Sequence, residues 1–169
     1  DLAIRAFNEM GLPLKIVGGG TQEGRLRSLA RDNVEFLGRV DDSELSRLYS
    51  ECRALVFPQH EDYGLTPLEA NASGVPVIGY GRGGIWDTTL PFSMEGKACT
   101  AVLFDEQTPD SLIQAVERSG KIAFDPEFIR RHAEQYDVPR FIDAMKTAVG
   151  ELWRGHGSRN SAGTPDRVR

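Results

Sequence analysis

The 169-residue sequence predicts one α/β domain in which a doubly wound parallel sheet lies between two layers of helices. Three observations carry that prediction. Short, nearly all-apolar segments recur along the chain, as strands buried on both faces require. Segments with apolar residues at helical spacing separate them, as the long crossovers of parallel pairing require. Several of the intervening helices also begin with recognisable cap chemistry. A chain of this length buries well over half of the surface its unfolded form exposes, which suits a single core.

Taken in order, residues 1–10 place Ala3, Ala6, Phe7 and Met10 on one helical face, with Arg5 and Glu9 opposite and Gly11 as the stop. Leu14-Lys15-Ile16-Val17 reads as a strand that ends at Gly18-Gly19-Gly20, and a polar helix follows over about 22–31. Residues 34–37 repeat the strand signal. Asp41 and Glu44 have capping-box spacing ahead of a helix carrying Leu45, Leu48 and Tyr49. Next come a strand at 54–57, a helix at 67–73, and strands at 75–78 and 101–104. Thr108-Pro109-Asp110 and Asp125-Pro126-Glu127 each put a cap residue before a proline suited to the first helical position. A last helix spans about 139–153. The domain is thus expected over 1–153, and the Gly/Ser-rich segment 154–169 is expected as a flexible tail.

With 40% hydrophobic and 27% charged residues, the composition is that of a globular protein with its own core. A net charge of -5 argues against a dedicated nucleic-acid-binding module, which needs clustered positive charge to displace counterions. Cys52 and Cys99 make no metal-ligand pattern. Both sit beside apolar runs and are expected as buried structural thiols in a reducing, cytoplasmic setting. No apolar run approaches the about 20 residues that cross a bilayer. The chain begins without Met and is expected to be part of a longer protein.

The most informative stretch runs from Phe57 to Gly84 and reads as strand, loop, helix, strand, loop. In an open parallel sheet, ligands bind beyond the carboxyl ends of the strands, where both loops lie. The first loop carries Glu61, Asp62, Tyr63 and Gly64 and feeds a helix whose first N–H groups point at any anion in the crevice. Phosphate is the natural guest. These residues resemble the signature of the retaining GT-B glycosyltransferases of family 4 (glycosyl transferases group 1). Glu61 and Glu69 have that family's seven-residue separation, Tyr63-Gly64-Leu65 matches its aromatic-Gly-aliphatic loop, and Gly83-Gly84 matches its second glycine loop. Residues 14–20 and 34–40 also resemble its successive strand ends. The resemblance implies a Rossmann-like domain, the C-terminal half of a GT-B fold.

What the resemblance implies for the site follows position by position. Glu61 is the catalytic-site acid, meeting donor-sugar hydroxyls near the reacting carbon, and Glu69 takes the ribose diol. A carboxylate suits a diol because it offers several acceptor sites in one plane. The amides of Gly64 and Leu65 meet the diphosphate, and Tyr63 of the same loop is a donor-binding residue. Gly19 and Gly20 let the chain approach the nucleotide closely, Gly38, Arg39 and Val40 lie where the base is laid, and Gly83-Gly84 closes the donor site. The implied activity is transfer of a hexose, from GDP-mannose first and UDP-glucose second, to a glycan or lipid-linked acceptor held by an N-terminal domain. The text from Glu61 to Gly84 resembles bacterial mannosyltransferases of polysaccharide assembly, which implies a cytoplasmic enzyme, with peripheral membrane association of the whole protein. No organic cofactor and no metal are implied, and the sequence has no Asp-x-Asp motif.

Relatives also carry an Arg and a Lys that clamp the diphosphate just upstream of the helix resembling residues 1–10, so this chain alone is expected to bind without transferring. Other readings stay open at this point. Thr66 and Glu69 have capping-box spacing, which would make Glu69 a purely structural acid. Glu61 and Asp62 also read as a solvated acidic loop. His60 reads as a loop histidine or a general acid–base, Arg82 as a surface or phosphate-facing residue, and Asp87 as a shortened match to a third family acid. A non-catalytic nucleotide-sugar-binding module is the alternative function. A nicotinamide-binding reading of Gly18-Gly19-Gly20 is weak, since Glu23 occupies its third glycine position.

Overall fold

A computed structural model of the chain describes residues 1–93 and 96–160, with side chains as far as Arg154. It divides into two units, Asp1–Glu134 and a second from Gln135 onward. The first contains helices α1 (Leu2–Met10), α2 (Glu23–Leu29), α3 (Asp42–Glu51), α4 (Leu65–Ala72), α5 (Ile85–Thr88), α6 (Pro109–Ser119) and α7 (Pro126–Ala133). Its strands are β1 (Leu14–Val17), β2 (Val34–Gly38), β3 (Leu55–Phe57), β4 (Val77–Tyr80) and β5 (Ala101–Phe104).

All strand pairings are parallel, and they form two ladders, β1–β2 and β3–β4–β5. In the larger ladder consecutive residues of β4 face opposite cores. Ile78 joins Ala6, Phe7, Val102, Phe104 and Leu112 on one side, whereas Val77 joins Tyr49, Phe57, Ala70 and Ile85 on the other. Helices α1 and α6 therefore cover one face, and α3, α4 and α5 the other. This is the three-layer arrangement that all-apolar strands demand, because neither face meets water. The smaller ladder is lighter. Its strand β1 alternates half-buried Leu14 and Ile16 with exposed Lys15 and Val17, and α2 buries no residue.

The expected cap residues each cap their helix, although the Glu44 carboxylate accepts from Arg47 and does not complete a capping box with Asp41. The Asp41 carboxylate accepts from the Glu44 N–H at 2.9 Å, Thr108 Oγ1 from the Ser111 N–H at 3.3 Å, and Asp125 Oδ1 from Glu127 and Phe128 N–H groups at 3.0 and 3.2 Å. The strand expected at 75–78 begins two residues later. The Val75 N–H turns back to the Ala70 carbonyl, and Pro76 has no N–H, so only its carbonyl joins the sheet, accepting from Leu55.

A 3-10 turn (Glu134–Tyr136), which starts on the last residue of the first unit, leads to α8 (Val138–Asn160) in the second. The boundary expected at 153/154 falls inside this helix, because Gly155 and Gly157 lower helix propensity without removing a hydrogen bond as proline would. Residues 161–169 of the expected tail lie outside the described residues. Along α8 the side chains of Val138, Phe141, Ile142, Met145, Val149, Leu152 and Trp153 are exposed, at helical spacing along one stripe.

Candidate functional site

The carboxyl end of the three-stranded ladder gathers the loops expected to matter. Loop 58–64 leaves β3 and loop 81–84 leaves β4, and the two are joined. Glu61 and Gly83 form a parallel bridge, and the Glu61 carbonyl accepts from the Gly84 N–H at 2.9 Å. The junction has no room for side chains. Gly83 holds φ +76, and a Cβ there would land on the Glu61 carbonyl oxygen and 2.7 Å from the His60 ring. A Cβ on Gly84 would fall on the Asp62 carbonyl. The double glycine therefore holds the acidic loop against its neighbour. A third loop contributes as well, since Gln107 Nε2 donates to the Pro58 carbonyl at 2.8 Å. The carboxylate of Glu61 is exposed and accepts from Gln59 Nε2 at 3.3 Å. Tyr63 and Leu65 are exposed beside it, and the Trp86 indole N–H is pinned to the Gly81 carbonyl at 2.9 Å.

Helix α4 starts at Leu65, two residues before its expected start. Its N-cap is Gly64 at φ +83, which supplies no side chain, and the first turn holds no acid. The leading N–H groups of Leu65 and Thr66 thus open toward the Glu61 loop without a side-chain acceptor. Thr66 lies inside the helix, so the Thr66–Glu69 capping box does not form. Glu69 stands exposed in the second turn. Its charge reaches Tyr49: burial first, and the Glu69 carboxylate second, push the Tyr49 phenol up to about 12.

At the carboxyl end of the smaller ladder, the Gly18 N–H donates to the Gly38 carbonyl at 2.7 Å. Beside it a cavity of about 230 Å³ is lined by Gly19, Gly20, Gln22, Leu26 and Phe36. Arg27 lies over the Phe36 ring, 4.6 Å from its centroid. Arg39 is exposed and Val40 half-buried just past Gly38.

The expected residues therefore form two groups, each at the carboxyl end of its own ladder. Glu61, Tyr63, Gly64, Leu65, Gly83 and Gly84 belong to one, with Glu69 further along α4. Gly19, Gly20, Gly38, Arg39 and Val40 belong to the other. Gln22, Phe36 and Gln107 were missed by sequence reasoning, because a lone Gln or Phe after a strand carries no pattern. His60 packs at the Gly83 junction, Arg82 is exposed, and Asp87 sits in the first turn of α5. One thiol departs from expectation: Cys99 is buried, but Cys52 is exposed, because it caps the open end of α3 instead of entering β3. Among the described residues no group of three His, Cys, Asp or Glu side chains is placed to hold a metal ion. No helix among them is long and apolar enough to cross a membrane.

Parallel ladders with glycine-bearing loops at their carboxyl ends define a doubly wound α/β domain of the kind that binds nucleotides. Residues 1–122 match the family described as Glycosyl transferases group 1, and the chain belongs to that family. A glycogen synthase of Aromatoleum aromaticum is 31% identical over 137 residues, covering 74% of this chain and 28% of the relative. The O-antigen chain mannosyltransferase C of Escherichia coli is 39% identical over 84 residues, covering 46% of this chain and 23% of the relative. Among solved structures, sucrose-phosphate synthase from Thermosynechococcus elongatus superposes with a TM-score of 0.63 at 25% identity, over 94% of this chain and 42% of that one. The chain spans about a third or less of the length of the curated relatives it matches.

Proposed function

We propose that this chain is the donor-binding domain of a retaining hexosyltransferase that uses GDP-mannose, with UDP-glucose as the second candidate donor. The observation that carries the reading is the junction of the Glu61 loop with Gly83-Gly84, set in front of a helix N-terminus whose cap residue has no side chain. A diphosphate fits the open N–H groups of Leu65 and Thr66. The hexose then lies against Glu61, and Glu69 takes the ribose diol. Gly19, Gly20, Gly38, Arg39 and Val40 line the nucleoside end. The mannosyl donor is supported by the likeness to the O-antigen mannosyltransferase, and a glucosyl donor by the likeness to glycogen synthases.

In the proposed reaction the bond between the anomeric carbon and the diphosphate oxygen breaks, and the acceptor hydroxyl oxygen bonds to the same face. Its proton passes to the departing diphosphate. Glu61 orients the sugar and stabilises positive charge developing at the ring. The acceptor, a glycan or lipid-linked sugar, is held by the remainder of a longer cytoplasmic protein that sits at the inner face of the membrane.

Calorimetry on two variants tests the reading. Glu61→Ala should weaken GDP-mannose more than GDP, since its contacts exist only when the hexose is present. Glu69→Gln should weaken both ligands alike, by about 1.5 to 3 kcal/mol, the size of hydrogen bonds to a charged group. Equal weakening of GDP and GDP-mannose by Glu61→Ala would remove Glu61 from the sugar site.

A further inference from the structure

At the opposite end of the three-stranded ladder a second cavity opens, of about 520 Å³, within the size range of small-molecule sites. It lies where β3 and β4 begin. The three residues of β3 separate it from the Glu61 loop by on the order of 10 Å of strand. Its wall has two chemistries. Val75, Pro76, Ile122 and Phe124 form an apolar side, whereas Arg53 and Arg130 bring two guanidinium groups. No carboxylate lines it.

The two arginines are in different states. Arg130 is loosely tethered: it donates to the Ser73 carbonyl at 3.4 Å and lies 3.9 Å from the Glu127 carboxylate, both long contacts. Gly74, at φ +80, lets it approach, since a Cβ there would stand 3.0 Å from Arg130 Nη2 and 3.1 Å from the Pro126 carbonyl. Arg53 is uncommitted, exposed and without a carboxylate partner among the described residues. A tethered guanidinium, a free one and an apolar wall together select a ligand with a matching division.

We infer that this cavity is a second binding site, separate from the proposed donor site, for a small organic anion whose phosphate or carboxylate meets Arg53 and Arg130 while an apolar body lies on Ile122 and Phe124. A guanidinium recognises such oxyanions by paired N–H donors. The rival explanation is that both arginines only complement the carboxyl ends of α3 and α4, which open here.

Cys52 lines the same cavity and is exposed, whereas Cys99 is buried, so alkylation of Cys52 reports occupancy. The experiment follows N-ethylmaleimide labelling of the Cys52 peptide by mass spectrometry, with phenyl phosphate, benzoate or uncharged benzyl alcohol present. Phenyl phosphate or benzoate should slow labelling by about threefold at a concentration near twice its Kd, and benzyl alcohol should not. Protection by only one anion identifies which oxyanion the site takes. Arg53→Gln, an exposed substitution expected to leave the melting temperature unchanged, should abolish the protection. No protection by either anion, equal protection by the alcohol, or protection that survives in Arg53→Gln would overturn the proposal. Labelling of the urea-unfolded chain should be indifferent to all three compounds, and slowing there would assign the effect to the reagent and overturn it too.

Discussion

The two ladders of this domain are built by the same rule and held to different standards. In β4, Val77 and Ile78 are almost fully buried, each in its own core, while in β1 the equivalent positions alternate between half-buried and exposed. Both ladders end in glycine-bearing loops. The larger ladder fixes its loop junction through a backbone bridge, a double glycine and Gln107, whereas the smaller one carries its loops on a sheet with a helix that buries nothing. The part of the proposed site that must orient a reacting sugar therefore stands on the stiff ladder, and the part that meets the nucleoside on the soft one. Precision in a loop is inherited from the burial beneath it.

Stability measurements can break that contrast. The largest effect is expected for Ile78→Ala, which empties a site only 3% exposed and should cost about 2 to 5 kcal/mol in denaturant unfolding. Ile16→Ala in the smaller ladder should cost about 1 kcal/mol, the centre of the range for ordinary substitutions. Equal losses would show that Ile16 is packed as tightly as Ile78 and would erase the contrast. Gly83→Ala should fall between them, at about 1 to 3 kcal/mol for a non-glycine residue forced into a strained backbone. It should also lower GDP-mannose affinity, since the Glu61 loop must shift to admit the methyl group. Retained affinity would show that the junction does not shape the site.

The smallest effect is a titration. The Tyr49 phenol stands above its ordinary value of 10.0, at about 12, by burial and then by the Glu69 charge. A pKa raised on folding gives stability that is fully present below the unfolded value and is lost as pH rises through the folded one. Unfolding at alkaline pH should thus become easier between about 10 and about 12. Glu69→Gln should bring the phenol's ultraviolet titration to lower pH. An unmoved curve would mean that the charge of Glu69 is directed away from Tyr49.

Much of the fold was legible because local chemistry and burial agree. Leu14-Lys15-Ile16-Val17 and residues 101–104 became strands over those same residues, and Asp41, Thr108 and Asp125 cap the helices they were read to cap. What stayed hidden lacks a side-chain signal. Gly64 caps α4 through its backbone alone, so the start was placed at Pro67, the nearest residue with a recognisable preference. The four-residue helix α5 is too short for any periodicity, and the division into two ladders depends on pairing partners that no single segment encodes. For the proposed site, motif spacing points to Glu61, Glu69 and Gly83-Gly84. It could not show that Gly84 holds the Glu61 carbonyl, nor that Gln107, far along the chain, steadies the same loop.

The stripe along α8 has a practical consequence. A helix that turns Phe141, Ile142, Met145, Leu152 and Trp153 outward puts a contiguous greasy strip on the isolated polypeptide, and such strips govern colloidal behaviour. Sulfate salts, which strengthen apolar association, should salt this chain out early, while low ionic strength at a pH well above its isoelectric point of about 5.3 should keep it dispersed. Shelf life in the test tube would then be set by one helix and not by the sheet.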